Sequence, residues 1–363
     1  MTDSDNIKKA IRKPQPTKTS IKKSDLLSTG STILNLACTG YPDGGFWKGA
    51  YFYIVGSSQS GKTFLARTCL AEATLNKNFD NYRIIDDDVE GGALMDTEKY
   101  FGKRLADRIE APAYDDEGEP IYSDTIEDFY FNLDDALSDD RPCIYLLDSQ
   151  DALGSKYEQS KFDEKKIAAR KGTKAKGDYG DGKAKIHSSG MRNALAKLKD
   201  TGSILIVTGH TKDNIGAGPF QPQQVTSGGR SLKYYAMMQL WSSTGPALKV
   251  TIKKKDRKIG IISKVRVVKN RSTGKDRDIE FPIYYSLGID DLGGCIDYLV
   301  REGHWKKNKA GTINASDFNF EGRRDSLIEH IEENNYEFDL KSIVTEVWNE
   351  IESLCEVVRK PRF

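Results

Sequence analysis

The chain alternates short apolar runs with longer segments of helical spacing. Residues 50–55 (AYFYIV) are β-branched, aromatic and apolar at every position, the pattern of a strand buried on both faces. Residues 63–77 follow with Leu65, Cys69, Leu70 and Ala73 at helical intervals. Segments 82–85, 143–147 (CIYLL) and 203–207 (SILIV) predict three more strands, and 188–198 predicts a helix. Segments 237–241, 248–253, 263–268 and 279–285 predict further strands that lie close together in the chain. Strands alternating with helices predict an α/β fold, a central mostly parallel sheet with helices on both faces. The crowding of the later strands predicts an antiparallel edge.

Two long polar stretches interrupt this pattern, 156–185 and 211–229. Loops of such length inside a compact domain are usually functional or disordered. Residues 1–25 are basic and polar, with Lys8, Lys9, Arg12, Lys13, Lys18, Lys22 and Lys23 among them, and predict a flexible or partner-dependent extension. After Gly288 the composition turns charged and helix-forming (327–333, 340–358), which predicts a small α-rich C-terminal domain. The expected organisation is a basic N-terminal segment (1–27), a core (28–288) and a C-terminal domain (289–363).

The 363 residues are 37% hydrophobic and 30% charged, enough for a large core under an extensive polar surface. The net charge of +1 means that any nucleic-acid contact must come from local basic patches. No apolar run is long enough to span a bilayer, and residues 1–20 carry no apolar stretch of the secretory kind, so a cytoplasmic protein without membrane partners is expected. The five cysteines are far apart and show no CxxC pairing, which predicts buried free thiols rather than a zinc site.

One motif is specific. Gly56-Ser57-Ser58-Gln59-Ser60-Gly61-Lys62-Thr63 reads G-x-x-x-x-G-K-T, after a predicted strand and before a predicted helix, as a phosphate-binding loop requires. Gly56 and Gly61 permit the backbone angles that turn successive N–H groups toward phosphate oxygens, and the helix start adds partial positive charge. Lys62 would reach the β- and γ-phosphates, and the Thr63 hydroxyl would ligate Mg²⁺. ATP and Mg²⁺ are therefore the expected ligands.

Two acidic segments complete the chemistry. The strand at 143–147 ends in Asp148, the position of a carboxylate that orients Mg²⁺ beside such a loop. The strand at 82–85 runs into Asp86-Asp87-Asp88-Val89-Glu90-Gly91-Gly92, where four crowded carboxylates should spread their pKa values. One of them is expected to activate the attacking water. Glu90 is preferred, because the following glycines suit a turn that frees its side chain, and Asp88 is second.

These motifs, in this order, resemble the RecA-type recombinase family, with the likeness nearest to bacteriophage RecA-like proteins. Residues 27–31 (LSTGS) leading into 34–37 (LNLA), the loop 56–63, 147–153 (LDSQDAL), 226–236 (TSGGRSLKYYA) and 267–271 (VVKNR) match successive family segments from about 27 to 288. The resemblance implies a RecA-like P-loop NTPase core and a DNA-dependent ATPase that forms helical filaments on single-stranded DNA for pairing, strand exchange and repair. It implies that Glu90 or Asp88 is the catalytic carboxylate. His210, where the family usually has Gln, would sense the γ-phosphate and order the second loop. Lys269 and Arg271 would reach ATP bound to the neighbouring subunit, and the basic N-terminal segment (1–27) would be an oligomerisation segment that packs on that neighbour.

The two polar stretches would be the DNA-binding loops. The first holds ten Lys/Arg against five Asp/Glu, with Tyr157, Phe162 and Tyr179 as stacking faces. Lys174, Lys176, Lys183 and Lys185 in the first loop, Lys212 and Phe220 in the second, and Arg230 just beyond are the expected DNA contacts. Single-stranded and duplex DNA, further copies of the chain, and single-strand-binding and loader proteins are the implied partners. The rival expectation is a RecA-fold ATPase of the hexameric helicase type.

Overall fold

The computed structural model describes residues 21–91, 95–173, 182–214, 224–227 and 229–359. Helix α1 (Thr32–Thr39) is followed by β1 (Ala50–Gly56), α2 (Lys62–Leu75), β2 (Arg83–Asp88), β3 (Ile109–Glu110) and α3 (Ile126–Ser138). Next come β4 (Cys143–Asp148), α4 (Lys156–Arg170), α5 (Lys183–Thr201), β5 (Ile204–Asp213), β6 (Gln224–Thr226) and α6 (Gly229–Tyr235). Strands β7 (Met238–Ile252), β8 (Lys255–Asn270), β9 (Arg277–Tyr284) and β10 (Gly288–Ile289) complete a sheet ordered β10-β9-β8-β7-β1-β5-β4-β2-β3, with β6 paired to β5. Strands β7, β1, β5, β4, β2 and β3 run parallel. Strands β8, β9 and β10 form the antiparallel edge that the crowded later strands predict.

The strand of widest apolar character sits at the middle of the sheet because it can be covered on both sides. Phe52 and Ile54 of β1 join the apolar cluster with α1 and α2, whereas Tyr51, Tyr53 and Val55 join the opposite one with α3 and α5. This is the period-2 alternation of a strand serving two cores.

Four features depart from the sequence pattern. The stretch 156–185, expected as one loop, is helical at both ends. Ser155 caps α4 in a capping box with Glu158, yet no residue of α4 is buried, so no apolar stripe announces the helix. Helix α5 begins at Lys183. Segments expected at 237–241 and 248–253 are one continuous strand, β7, and 263–268 is part of the longer β8. Finally, α3 carries Ile126, Phe129, Leu133 and Leu137 on its buried face behind a Thr125–Asp128 capping box.

Residues beyond β10 form α7 (Asp291–Arg301), a three-stranded antiparallel sheet (Lys306–Lys307, Ile313–Ala315, Phe320–Gly322), α8 (Arg324–Glu333) and α9 (Glu337–Leu354). Leu299, Trp305, Ile331 and Val344 from this part belong to the same apolar cluster as Ile33 and Leu36 of α1 and Phe281 of β9. Trp305 is buried and donates its indole N–H to Asp317 at 2.6 Å. Cys38, Cys69, Cys143 and Cys295 are buried free thiols and Cys355 is exposed. Among the described residues no helix is long and apolar enough to cross a membrane.

Candidate nucleotide site

The phosphate-loop motif connects β1 to α2 as expected, but its two glycines act differently. Gly61 has a φ of +91°, and a Cβ there would sit 2.6 Å from Ile283 Cδ1. Gly56 does not have positive φ; a Cβ there would collide with the backbone oxygen and hydroxyl of Ser242 on β7. One glycine supplies a turn and the other a close strand-to-strand approach.

Strands β7 and β8 fix the loop. Ser60 Oγ lies 2.7 Å from Ser242 Oγ, Ser263 donates to the Ser60 carbonyl at 2.9 Å, and Thr244 donates to the Gln59 carbonyl at 3.2 Å. Lys62 is buried and folds back over the loop, donating to the Ser57 carbonyl at 2.9 Å. Burial lowers its pKa, while Asp148, Glu90 and Asp151 oppose the shift. An incoming phosphate would give this desolvated ammonium a charged partner in place of a carbonyl.

Asp148 ends β4 beside the loop. It accepts hydrogen bonds from the Thr208 and Thr63 hydroxyls, and burial raises its pKa against both. Thr63 and Asp148 therefore meet, and a hydroxyl with a neighbouring carboxylate is the donor set that holds Mg²⁺ partly through water. Lys62, Thr63 and Asp148 fit Mg-ATP on this arrangement. The loop backbone from Gly56 through Ser57, Ser58, Gln59 and Ser60 to Gly61 lines the same place.

The acidic run divides by strand alternation: burial raises the pKa values of Asp86 and Asp87, whereas a hydrogen bond from Ser149 lowers that of Glu90. Asp87 points to one face and accepts from Ser123 N at 3.0 Å, Ser123 Oγ at 2.6 Å and Tyr145 Oη at 2.7 Å. Asp86 and Asp88 point to the other and pair with Arg67 of α2 at 2.7 and 3.3 Å. Burial pushes Asp86 up to about 7, with Arg67 pulling it down. Asp88 stands opposite Asp148 in the β2–β4 register. Glu90 lies past the strand end, its side chain 44% exposed. It accepts from Ser149 Oγ at 2.5 Å and lies 3.3 Å from His210 Nε2. The Ser149 bond, with His210 and Lys62 adding to it, holds Glu90 below the usual carboxylate range. An ion-paired Asp88 and a half-open Glu90 differ in the freedom a water-activating base needs.

His210 is paired with Gly56 across the β1–β5 register, so it stands beside the phosphate loop. Its backbone N–H donates to Asp151 Oδ2 at 2.6 Å, and its carbonyl accepts from the Ser227 N–H at 3.0 Å and hydroxyl at 2.8 Å. Gln150 Nε2 also donates to Ser227 Oγ, at 3.1 Å. Ser227 closes the second polar stretch, whose β6 pairs Gln224–Thr226 with Thr211–Asp213. The imidazole thus faces Glu90 while its backbone holds the end of that stretch.

Lys269 and Arg271 lie elsewhere. Lys269 is paired with Gln239, which is opposite Tyr53, about 10 Å down the sheet from Gly56 at some 3.3 Å per residue. Lys269 Nζ donates to the Lys233 and Tyr234 carbonyls at 2.9 and 2.7 Å, and Arg271 Nη2 to the Tyr234 carbonyl at 3.3 Å. Burial, then Arg271 and Lys233, lower the Lys269 pKa to about 8. Of the expected DNA contacts, Lys185, Lys212 and Arg230 are exposed, and Lys183 pairs with Glu158 at 2.9 Å. Lys174, Lys176 and Phe220 lie outside the described residues. Sequence reading missed Arg67, Ser149, Thr208 and Ser242 as site partners; only Ser149 lay inside a quoted motif.

The sheet order, the glycine-bounded loop at the end of β1 and the carboxylate at the end of β4 define a RecA-like P-loop NTPase fold. The family model for the RecA N-terminal domain matches residues 168–290. RecA of Anaplasma marginale (strain Florida) is 30% identical over 295 residues, covering 80% of this chain and 71% of that protein. RecA of Thioalkalivibrio sulfidiphilus is 28% identical over 299 residues, 80% and 75% of the two chains, and RecA of Helicobacter hepaticus 27% over 285 residues, 77% and 72%. The chain belongs to the RecA family.

Proposed function

We propose that the protein is a DNA-dependent ATPase that assembles as a helical filament on single-stranded DNA and carries out homologous pairing and strand exchange in recombination and repair. The observation that carries this reading is His210, which stands opposite Gly56 of the phosphate loop, faces Glu90 at 3.3 Å and holds Ser227 of the second polar stretch through its carbonyl. Bound Mg-ATP would supply a phosphoanhydride and the divalent charge that balances it. Lys62 holds phosphate charge, and Thr63 and Asp148 hold the metal. Glu90 accepts the proton of the attacking water, and Ser149 and His210 orient its carboxylate. A γ-phosphate that recruits His210 would also reposition Ser227, so nucleotide and DNA occupancy favour each other.

Lys269 and Arg271 sit away from the loop of their own chain, which suits contact with nucleotide on a neighbour. Such head-to-tail contacts build open helices when the rotation does not close. The test is phosphate release with and without single-stranded DNA, together with electron microscopy in a non-hydrolysable ATP analogue. DNA-stimulated release and filaments are expected; absence of stimulation, or closed rings, would overturn the reading.

A further inference from the structure

Strand β7 pairs with β1 only from Met238 to Ser242, and β8 pairs with β9 only from Gly260 to Val267. Beyond those limits β7 and β8 pair with each other alone, up to Ile252↔Lys255. Because β7 runs parallel to β1, this ribbon projects from the end of the sheet that carries the phosphate loop and His210. From Leu248 to Ile252 it extends about 14 Å further at ~3.4 Å per residue.

The ribbon carries Lys249, Lys253, Lys254, Lys255, Arg257 and Lys258, all exposed, with Asp256 as its single acid. Asp256 accepts the Thr251 hydroxyl at 2.9 Å. None of the six cations forms an ion pair among the described residues. Lys249 and Lys258 are direct cross-strand partners, an arrangement that repels itself. The turn residues Lys253 and Lys254 have φ of +51° and +60°, a pairing for which Asn-Gly is the relaxed choice. Folding alone would favour neither feature. At the base, Lys258 Nζ lies 5.7 Å from the ring centroid of Tyr285, which is itself half exposed.

We propose that this basic ribbon is a duplex-DNA-binding arm that enters the major groove and contacts the phosphates on both walls. The groove of B-DNA admits a two-stranded β-ribbon. The cations occupy both faces: Lys249 and Lys258 share one, and Lys255 and Arg257 share the other with Val250 and Ile252. A groove offers phosphates to both faces at once, whereas a single strand would lie along one. The arm rests on the DNA-binding reading above but uses none of its loops.

The test is fluorescence anisotropy of the full chain with a labelled blunt duplex and, separately, a labelled single strand, titrated over a range of salt. In K253Q/K254Q/K255Q/K258Q, duplex affinity should fall at least about tenfold, and the slope of log affinity against log salt should shrink by roughly 3. Single-strand binding and DNA-stimulated ATP hydrolysis should stay within about twofold of the parent, because the loops are untouched. The matching Lys→Arg variant should restore duplex binding, which a folding defect in the turn would not allow. Unchanged duplex affinity, an equal loss on both DNAs, or loss of self-assembly without DNA would each overturn the arm; the last would place an acidic surface of a second copy there. Absence of single-strand-stimulated hydrolysis in the parent would refute the recombinase reading while leaving the duplex comparison decisive for the arm.

Discussion

The Glu90 carboxylate lies 3.3 Å from His210 Nε2, although 120 residues separate them in the chain. Glu90 leaves the end of β2 and His210 stands beside Gly56 on β5, so the contact spans the mouth of the phosphate loop. If Glu90 is the base, Glu90→Gln should cut DNA-stimulated turnover by about 10²-fold or more while nucleotide affinity changes little. Steady-state hydrolysis and equilibrium binding of a fluorescent ATP analogue separate the two effects. Asp88→Asn losing turnover while Glu90→Gln keeps it would reverse the assignment.

Lys269 offers a pH test of contact between subunits. With its pKa lowered to about 8, the group is charged below that pH and neutral above it. Nucleotide-promoted assembly should therefore weaken as pH rises from 7 to 9, as read by light scattering. Lys269→Arg keeps its charge throughout and should flatten the profile. The double change Lys269→Ala with Arg271→Ala should abolish assembly and hydrolysis.

The Arg67–Asp86–Asp88 cluster makes stability depend on pH in a defined direction. Asp86 holds its proton more tightly folded, at about 7, than unfolded, so the folded state binds more protons between about pH 4 and 7. That contribution favours folding at low pH and is lost as pH rises through 7. Arg67→Leu removes the partner of the buried Asp86 and of the partly buried Asp88, and should cost about 3–5 kcal/mol near pH 8. The cost should be smaller at pH 5, where Asp86 is neutral. Urea unfolding of the nucleotide-free protein at the two pH values measures the difference.

Gly56 tests the packing of the loop strand. Gly56→Ala forces a methyl group against the backbone of Ser242, which cannot rotate away. Overpacking of this kind costs about 1–3 kcal/mol, and the urea midpoint should fall accordingly. Gly61→Ala additionally strains a left-handed residue and should abolish nucleotide binding.

The strands were legible because a buried parallel strand is apolar at every position, as 50–55 and 143–147 are. The phosphate loop was legible because its chemistry fixes both residue types and spacing. Helix α4 was hidden because it buries nothing, so only its capping box marks it. Asp86, Asp87, Asp88 and Glu90 could not be sorted from sequence, because their roles depend on which face meets Arg67, Ser123 or Ser149. Those partners lie between 19 and 59 residues away, Asp86 from Arg67 and Glu90 from Ser149. The position of Lys269 and Arg271 away from their own loop depends on strand direction, which residue patterns do not encode.

Trp305, Leu299, Ile331 and Val344 share one oily interior with α1 and β9. A chain cut after β10 would therefore not be a trimmed enzyme. It would show water a wall built from Ile33, Leu36 and Phe281, and such a wall seeks another like it. Clumping, rather than altered catalysis, is what shortening the protein from that end should bring.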